Sequence, residues 1–230
     1  MVKFLENDIK SRRIYPDLPI IPHIGDSHCL SFAHKRITLN NVTKRVKPVY
    51  IVGAKAWHFA NNIDNMFKSY FKKQIKNNIT GDQVLISFGE IDCRESEGIL
   101  QYSLKNNKNI KQVCLQTIVG YIHFMEENLS RVFKKRYYLG TPAPFIRGKE
   151  ITDIDIKRKY LIETFNRILK KEVLSRDCYF IDIYRLTSDN GLNNNLYMMD
   201  DQHLFPSCLS QLIDNHIYEP DKKLPKNINK

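Results

Sequence analysis

The feature that most constrains this chain is the alternation of short apolar runs with longer stretches of helical periodicity. Runs of strand length and apolar or aromatic character occur at Ile20 to Gly25, Val49 to Val52, Val84 to Phe88, Arg136 to Gly140 and Cys178 to Ile183. Strands covered by helices on both faces read this way, because neither face meets water. Ile118, Ile122, Met125, Leu129 and Val132 recur at helical spacing before the fourth run. Leu161, Phe165, Ile168, Leu169 and Val173 do so before the fifth, and Thr152-x-x-Asp155 has the pattern of a capping box at the start of that helix. The fold expected is α/β, a three-layer flavodoxin-like sandwich with a five-stranded parallel sheet and helices on both faces. With 230 residues, 42% of them hydrophobic, the chain is long enough for one full core. The expected organisation is one domain over residues 19–218, between an N-terminal extension (1–18) and a polar tail (219–230).

In an open α/β sheet, functional residues collect at the carboxyl ends of the strands. Three segments fall there: Ile24-Gly25-Asp26-Ser27-His28 after the first run, Gly53 after the second, and Phe88-Gly89-Glu90-Ile91-Asp92-Cys93-Arg94 after the third. A fourth, Asp200-Asp201-Gln202-His203, follows the fifth run and precedes a helix expected near Pro206-Ser207, so it can fold across the same edge. A serine hydroxyl attacks only when an imidazole removes its proton, and the imidazole needs a carboxylate to fix its tautomer. Ser27, His203 and Asp200 supply these groups, with Asp201 as the alternative carboxylate. Taken alone, Asp26 and Ser27 also fit a helix cap, and His203 fits an ordinary surface histidine. His23, His34 and His58 have no partners at metal-ligand spacing.

This ordered set resembles the SGNH/GDSL hydrolase superfamily over residues 19–218: a Gly-Asp-Ser block, a lone glycine, a Gly-x-Asn-Asp block, then Asp-x-x-His. The third block departs from the pattern. Gly89 and Asp92 match, but Ile91 stands where the family has asparagine, and an isoleucine side chain donates no hydrogen bond. The resemblance implies a serine esterase acting on small acyl esters, often acetyl on a carbohydrate. Ser27, His203 and Asp200 would be catalytic, and the oxyanion would meet the backbone amides of Ser27 and Gly53. An O-acetyltransferase of glycan assembly would use the same triad, and a catalytically impaired domain that binds a glycan or polyanion would keep only the scaffold. His28, Glu90, Asp92 and Arg94 are candidates for substrate binding or support, the last three also for a buried ion-pair network. Arg94 is the nearest replacement for the lost donor. No cofactor and no metal is implied.

Cysteine usage points the same way: five cysteines, scattered and without C-x-x-C spacing, suggest neither a disulfide framework nor a zinc site. No apolar stretch approaches the roughly 18 residues of a membrane span, and Met1-Val2-Lys3-Phe4-Leu5-Glu6 has no signal-peptide core, so the expectation is a cytoplasmic protein. The net charge of +11 is lopsided, since residues 1–76 hold 14 Lys/Arg against 5 Asp/Glu. Such a field would favour an anionic substrate or polymer, or simply form a solvated face. No aromatic-interleaved basic stretch supports nucleic-acid binding.

Overall fold

The computed structural model describes residues 17–78, 81–148 and 150–220, so most of the expected extension and nearly all of the expected tail lie outside the described residues. The centre is a sheet of β1 (Ile20–Gly25), β2 (Arg36–Leu39), β3 (Val42–Tyr50), β4 (Gln83–Ser87), β5 (Lys135–Leu139), β6 (Tyr179–Ile181) and, late in the chain, β9 (Ile217–Tyr218). Its order is β2-β3-β1-β4-β5-β6-β9. The five expected strands are its parallel centre, so the sheet has seven strands among the described residues rather than five. The additions are the antiparallel edges β2 and β9.

The physical reason for the difference lies at those edges. β2 and β3 form a hairpin whose two linking residues, Asn40 and Asn41, both adopt positive φ, as the tight turn between twisted strands requires. Lys44, Arg45 and Lys47 occupy the hairpin, and their charge hides a strand that begins well before Val49. β9 has only two residues, too few to carry a period.

Side chains alternate across the sheet, as a strand's twofold period dictates. Ile24, Val84, Ile86 and Tyr138 enter one core, with Ile21, Leu85, Tyr137 and Leu139 in the other. The first is covered by α1 (Ala56–Ala60), α2 (Met66–Asn78), α3 (Gly98–Lys105), α4 (Ile110–Leu129) and α5 (Asp153–Leu174). The second is thinner, closed by α6 (Ile183–Thr187), the loop through Met198 and Leu204, and α7 (Leu209–Asn215). A small ribbon of β7 (Ser188–Asp189) and β8 (Leu192–Asn193) stands apart from the main sheet.

The expected helical stripes are α4 and α5, except that α4 stops at Leu129 and leaves Val132 exposed in the following turn. The capping box at α5 is formed: Thr152 Oγ1 accepts from the Asp155 amide at 3.3 Å, and Asp155 Oδ2 accepts from the Thr152 amide at 2.9 Å. No helix among the described residues is long and apolar enough to cross a membrane. All five cysteines are free and buried.

One packing feature prepares the site. Phe59 of α1 meets Phe88, the residue before Gly89, at 4.9 Å between centroids, and Phe124 of α4 at 5.4 Å. Each such pair adds about 0.5–1.5 kcal/mol beyond burial. Two of the loops at the carboxyl edge are therefore rooted in one aromatic cluster.

Candidate active site

The strand order reverses at β1, whose neighbours are β3 and β4, and the crevice of such a sheet opens at the carboxyl end of that strand. Asp26 leaves β1 in extended conformation and caps the one-turn 3-10 helix Ser27–Leu30, its Oδ1 accepting from the His28 amide at 2.9 Å. Because Asp26 makes the cap, the Ser27 hydroxyl is left for another partner. That partner is His203, whose Nε2 lies 3.0 Å from Ser27 Oγ.

On the other side of the ring, His203 Nδ1 lies 2.8 Å from Asp200 Oδ2. Asp200 Oδ1 accepts from the amides of Gln202 and His203 at 2.8 and 2.6 Å, so the Asp-x-x-His spacing closes as a local side-chain turn. Partial burial works to raise the Asp200 pKa, but the His203 amide and ring and the Gln202 amide outweigh it and hold the carboxyl below its usual range. Met198 and Leu204 flank the turn, pair with each other and sink into the second core. The neighbouring Asp201 is held by Arg147, whose Nε lies 2.7 Å from Asp201 Oδ2, and Arg147 also approaches Glu95 at 3.6 Å. Asp200 is thus the carboxylate at the imidazole.

Beneath the serine lies a buried charged group. Glu90 Oε2 accepts from Arg94 Nε and Nη2 at 2.9 and 2.7 Å and sits 3.5 Å from His28 Nε2. Burial alone would raise the Glu90 pKa, but His28 and Arg94 hold it down at about 2. Burial pushes His28 the other way, yet Asp26 and Glu90 prevail and its pKa is raised. Asp26 is pushed up to about 6 by burial, and its Oδ2 has no hydrogen-bond partner among the described residues. The His28 ring lies 5.1 Å from that of His203, tilted by 31°.

The two glycine-bearing loops complete the edge. Gly89 has φ +124°, and a Cβ there would strike the Phe165 ring, so no other residue fits the bend. Gly53 has φ +65° in the exposed turn after β3, which is tied to β1 by the Ile51 amide donating to Gly25 O at 2.8 Å. Asp92 braces this turn from below. Its carboxylate accepts from the amides of Ala56 and Trp57 at 2.7 and 3.0 Å, which caps α1, and burial raises its pKa to about 6 against those two bonds. Among the described residues neither the Ser27 nor the Gly53 amide has an acceptor.

No family profile matches the sequence, and no curated protein does. Solved structures do resemble the fold. A protein of Streptococcus pneumonia, provisionally named a platelet activating factor, superposes with a TM-score of 0.52 at 14% identity, covering 90% of this chain and 87% of that one. The chain shares the α/β fold of that protein. Two further structures lie near it. A GDSL-like lipase from Bacteroides thetaiotaomicron gives a TM-score of 0.47 at 14% identity, covering 87% of this chain and 88% of that one. A catalytic mutant of an acetylxylan esterase from Geobacillus stearothermophilus gives 0.46 at 13%, covering 82% and 88%.

Within this fold, the residues singled out from the sequence divide into two groups. Ser27, His203 and Asp200 are joined in one chain of hydrogen bonds. His28, Glu90 and Arg94 form a buried network beneath them, and Asp92 is a brace for α1. Arg94, with two of its nitrogens on Glu90, is committed to that network. Ile91 is buried and brings no donor. Sequence reasoning missed Arg147, since nothing local marks an arginine 54 residues from its partner. It also missed Asn166, whose side-chain amide accepts from the Thr141 amide at 2.8 Å and fixes the loop after β5. A polar residue on the buried stripe of α5 was the signal available there.

Proposed function

We propose that this protein is a serine esterase for small acyl esters, acetyl esters of a carbohydrate foremost, working through an acyl-enzyme on Ser27. The observation that carries the proposal is the continuous chain Ser27 Oγ to His203 Nε2 at 3.0 Å and His203 Nδ1 to Asp200 Oδ2 at 2.8 Å. His203 takes the hydroxyl proton as Ser27 Oγ attacks the ester carbonyl, while Asp200 holds the imidazole in the tautomer that can accept it. The new C–O bond leaves a tetrahedral oxyanion, for which the amides of Ser27 and Gly53 are the donors. His203 returns the proton to the departing alcohol as the old C–O bond breaks. Water then repeats the sequence on the acyl-enzyme, releasing the acid and restoring Ser27; a sugar hydroxyl in place of water would complete a transfer instead.

With Ile91 in the third block, the oxyanion relies on two backbone amides. Removing one donor from such a hole costs about 2.7–4 kcal/mol, so turnover is expected to be slow for this class. The test is covalent labelling. A fluorophosphonate probe should modify Ser27 in the native chain and leave Ser27→Ala unmodified. A native chain that resists the probe, or labelling that persists in Ser27→Ala, overturns the assignment.

A further inference from the structure

We infer that the groove between Trp57 and Tyr102, beside the Gly53 turn, is the subsite for a neutral sugar ring, the alcohol part of the ester. The link to the ester rests on the esterase reading; the binding itself does not. The groove has a volume of about 200 Å³ and is lined by Lys55, Trp57, His58, Gly98, Ile99, Tyr102 and Val113. Its two aromatic walls are half exposed, Trp57 at 51% and Tyr102 at 50%. Two aromatic side chains flanking one groove form an apolar platform, and the C–H face of a pyranose is a flat apolar surface rimmed with hydroxyls that matches it.

The polar groups favour a neutral ligand. Lys55 Nζ is paired with Glu97 Oε2 at 2.6 Å, so its charge is cancelled at the rim. His58 Nδ1 accepts from the Lys55 amide at 2.9 Å, which puts the ring proton on Nε2, and burial together with Lys55 keeps its pKa below the ordinary histidine value. A phosphate or carboxylate would find no uncompensated cation here. Hydroxyls would find an imidazole N–H, a phenol and an ion pair.

Position links the groove to the candidate active site. Asp92 caps α1 at Ala56 and Trp57 with its side chain, and Gly98, which opens α3, packs directly on the Asp92 backbone. Both walls therefore hang from one residue of the third segment, and Lys55 is two positions from Gly53.

Trp57 is the chain's single tryptophan, so the emission of the folded protein reports on this groove. Titration with methyl β-D-xylopyranoside and methyl β-D-glucopyranoside should give a saturable change in emission, the same in the native chain and in Ser27→Ala. Calorimetric affinity should be roughly tenfold weaker in Tyr102→Ala, the loss of one stacking partner. Trp57→Phe should bind with near-native affinity by calorimetry, and Trp57→Ala should not. No saturable response to either pyranoside, or saturation by adenosine and not by a pyranoside, overturns the inference. Pyranoside binding by a chain whose Ser27 resists fluorophosphonate would sink the esterase reading and leave the subsite standing. Labelling without binding would do the reverse.

Discussion

The Ser27 side of the candidate site and the His203 side are built in opposite ways. Around Ser27, the charged residues Asp26, His28, Glu90 and Asp92 are each 7% exposed or less. Around His203, the Asp200 side chain is 46% exposed, and the bonds that shape the turn are local, from residues two and three positions away. The buried side is held by interactions that leave few alternatives but carry the cost of desolvated charge. The exposed turn itself is held by small terms in high dielectric, each easily replaced by water, between the buried anchors Met198 and Leu204. The Ser27 half is determined by buried charge, and the His203 half by a local turn set between two apolar anchors.

The largest test of this contrast is catalytic. Ser27→Ala and His203→Ala should each lower kcat for a small aryl acetate by about 10⁴-fold or more, because a nucleophile and its base act as a unit. Asp200→Asn should leave a measurable remnant, and Asp201→Asn should change little. Steady-state kinetics on the four variants checks the order. If Asp200→Asn matches Ser27→Ala, the exposed side is as indispensable as the buried one, and the contrast fails.

The same division governed what could be read from the sequence. The Ser27 half was legible because its constraints are local: Gly25-Asp26-Ser27 at a strand end, Gly89 where a ring leaves no room for a side chain, and apolar runs whose burial on both faces forces a parallel sheet. Asp200-x-x-His203 was legible for the same reason, since a three-residue step closes within one turn. What escaped depends on distant partners or on charge masking a pattern. Arg147 reaches Asp201 across 54 positions, Asp92 reaches α1 across 36, and the β2–β3 hairpin is disguised by lysines and arginines. The separation of Asp200 from Asp201 was undecidable from spacing, because an arginine elsewhere in the chain makes the choice.

A middle-sized effect should come from the buried charges. Asp26 and Asp92 have pKa values raised to about 6 from an ordinary value of 3.8, so the folded state takes up protons first and stability should rise as pH falls from above 6 towards 3.8. His28, raised in the fold, adds stability that is complete below about 6.5 and is lost as pH climbs through its folded value. Glu90, held at about 2 against 4.5, works the other way: its contribution is present above 4.5 and disappears as pH drops towards 2. His23, held down at about 3 by burial and by His28, binds its proton only in the unfolded state as pH falls below 6.5, and so costs stability there. Unfolding midpoints should therefore be slightly higher at pH 5 than at pH 8 and fall again below about pH 4. Asp26→Asn keeps an oxygen for the His28 amide and removes the unpartnered carboxylate oxygen, so it should stabilise the protein at pH 8 by on the order of 1–3 kcal/mol and flatten the rise between pH 6 and 4. Destabilisation at pH 8 would mean that the carboxylate is wanted as the counter-ion of His28, and that the buried side is a balanced network with no net desolvation cost.

The smallest effect sharpens the contrast most, because it falls on the residue that connects the two sides. Arg147 grips Asp201 in the His203 loop and approaches Glu95 beyond the third segment, so it straps three loops across the mouth of the candidate site. Its side chain is 57% exposed and that of Asp201 34%, and pairs so exposed contribute about 0–1 kcal/mol. Arg147→Ala should thus lower kcat/KM for a neutral ester by no more than about fivefold, which is about 1 kcal/mol. Asp201→Asn should do the same, and the double variant should be no worse than either single one, since the pair can be broken only once. A hundredfold loss in Arg147→Ala would show that the strap keeps His203 in register with Ser27. The exposed side would then be as tightly determined as the buried one, with Arg147 as the positioning residue that makes it so.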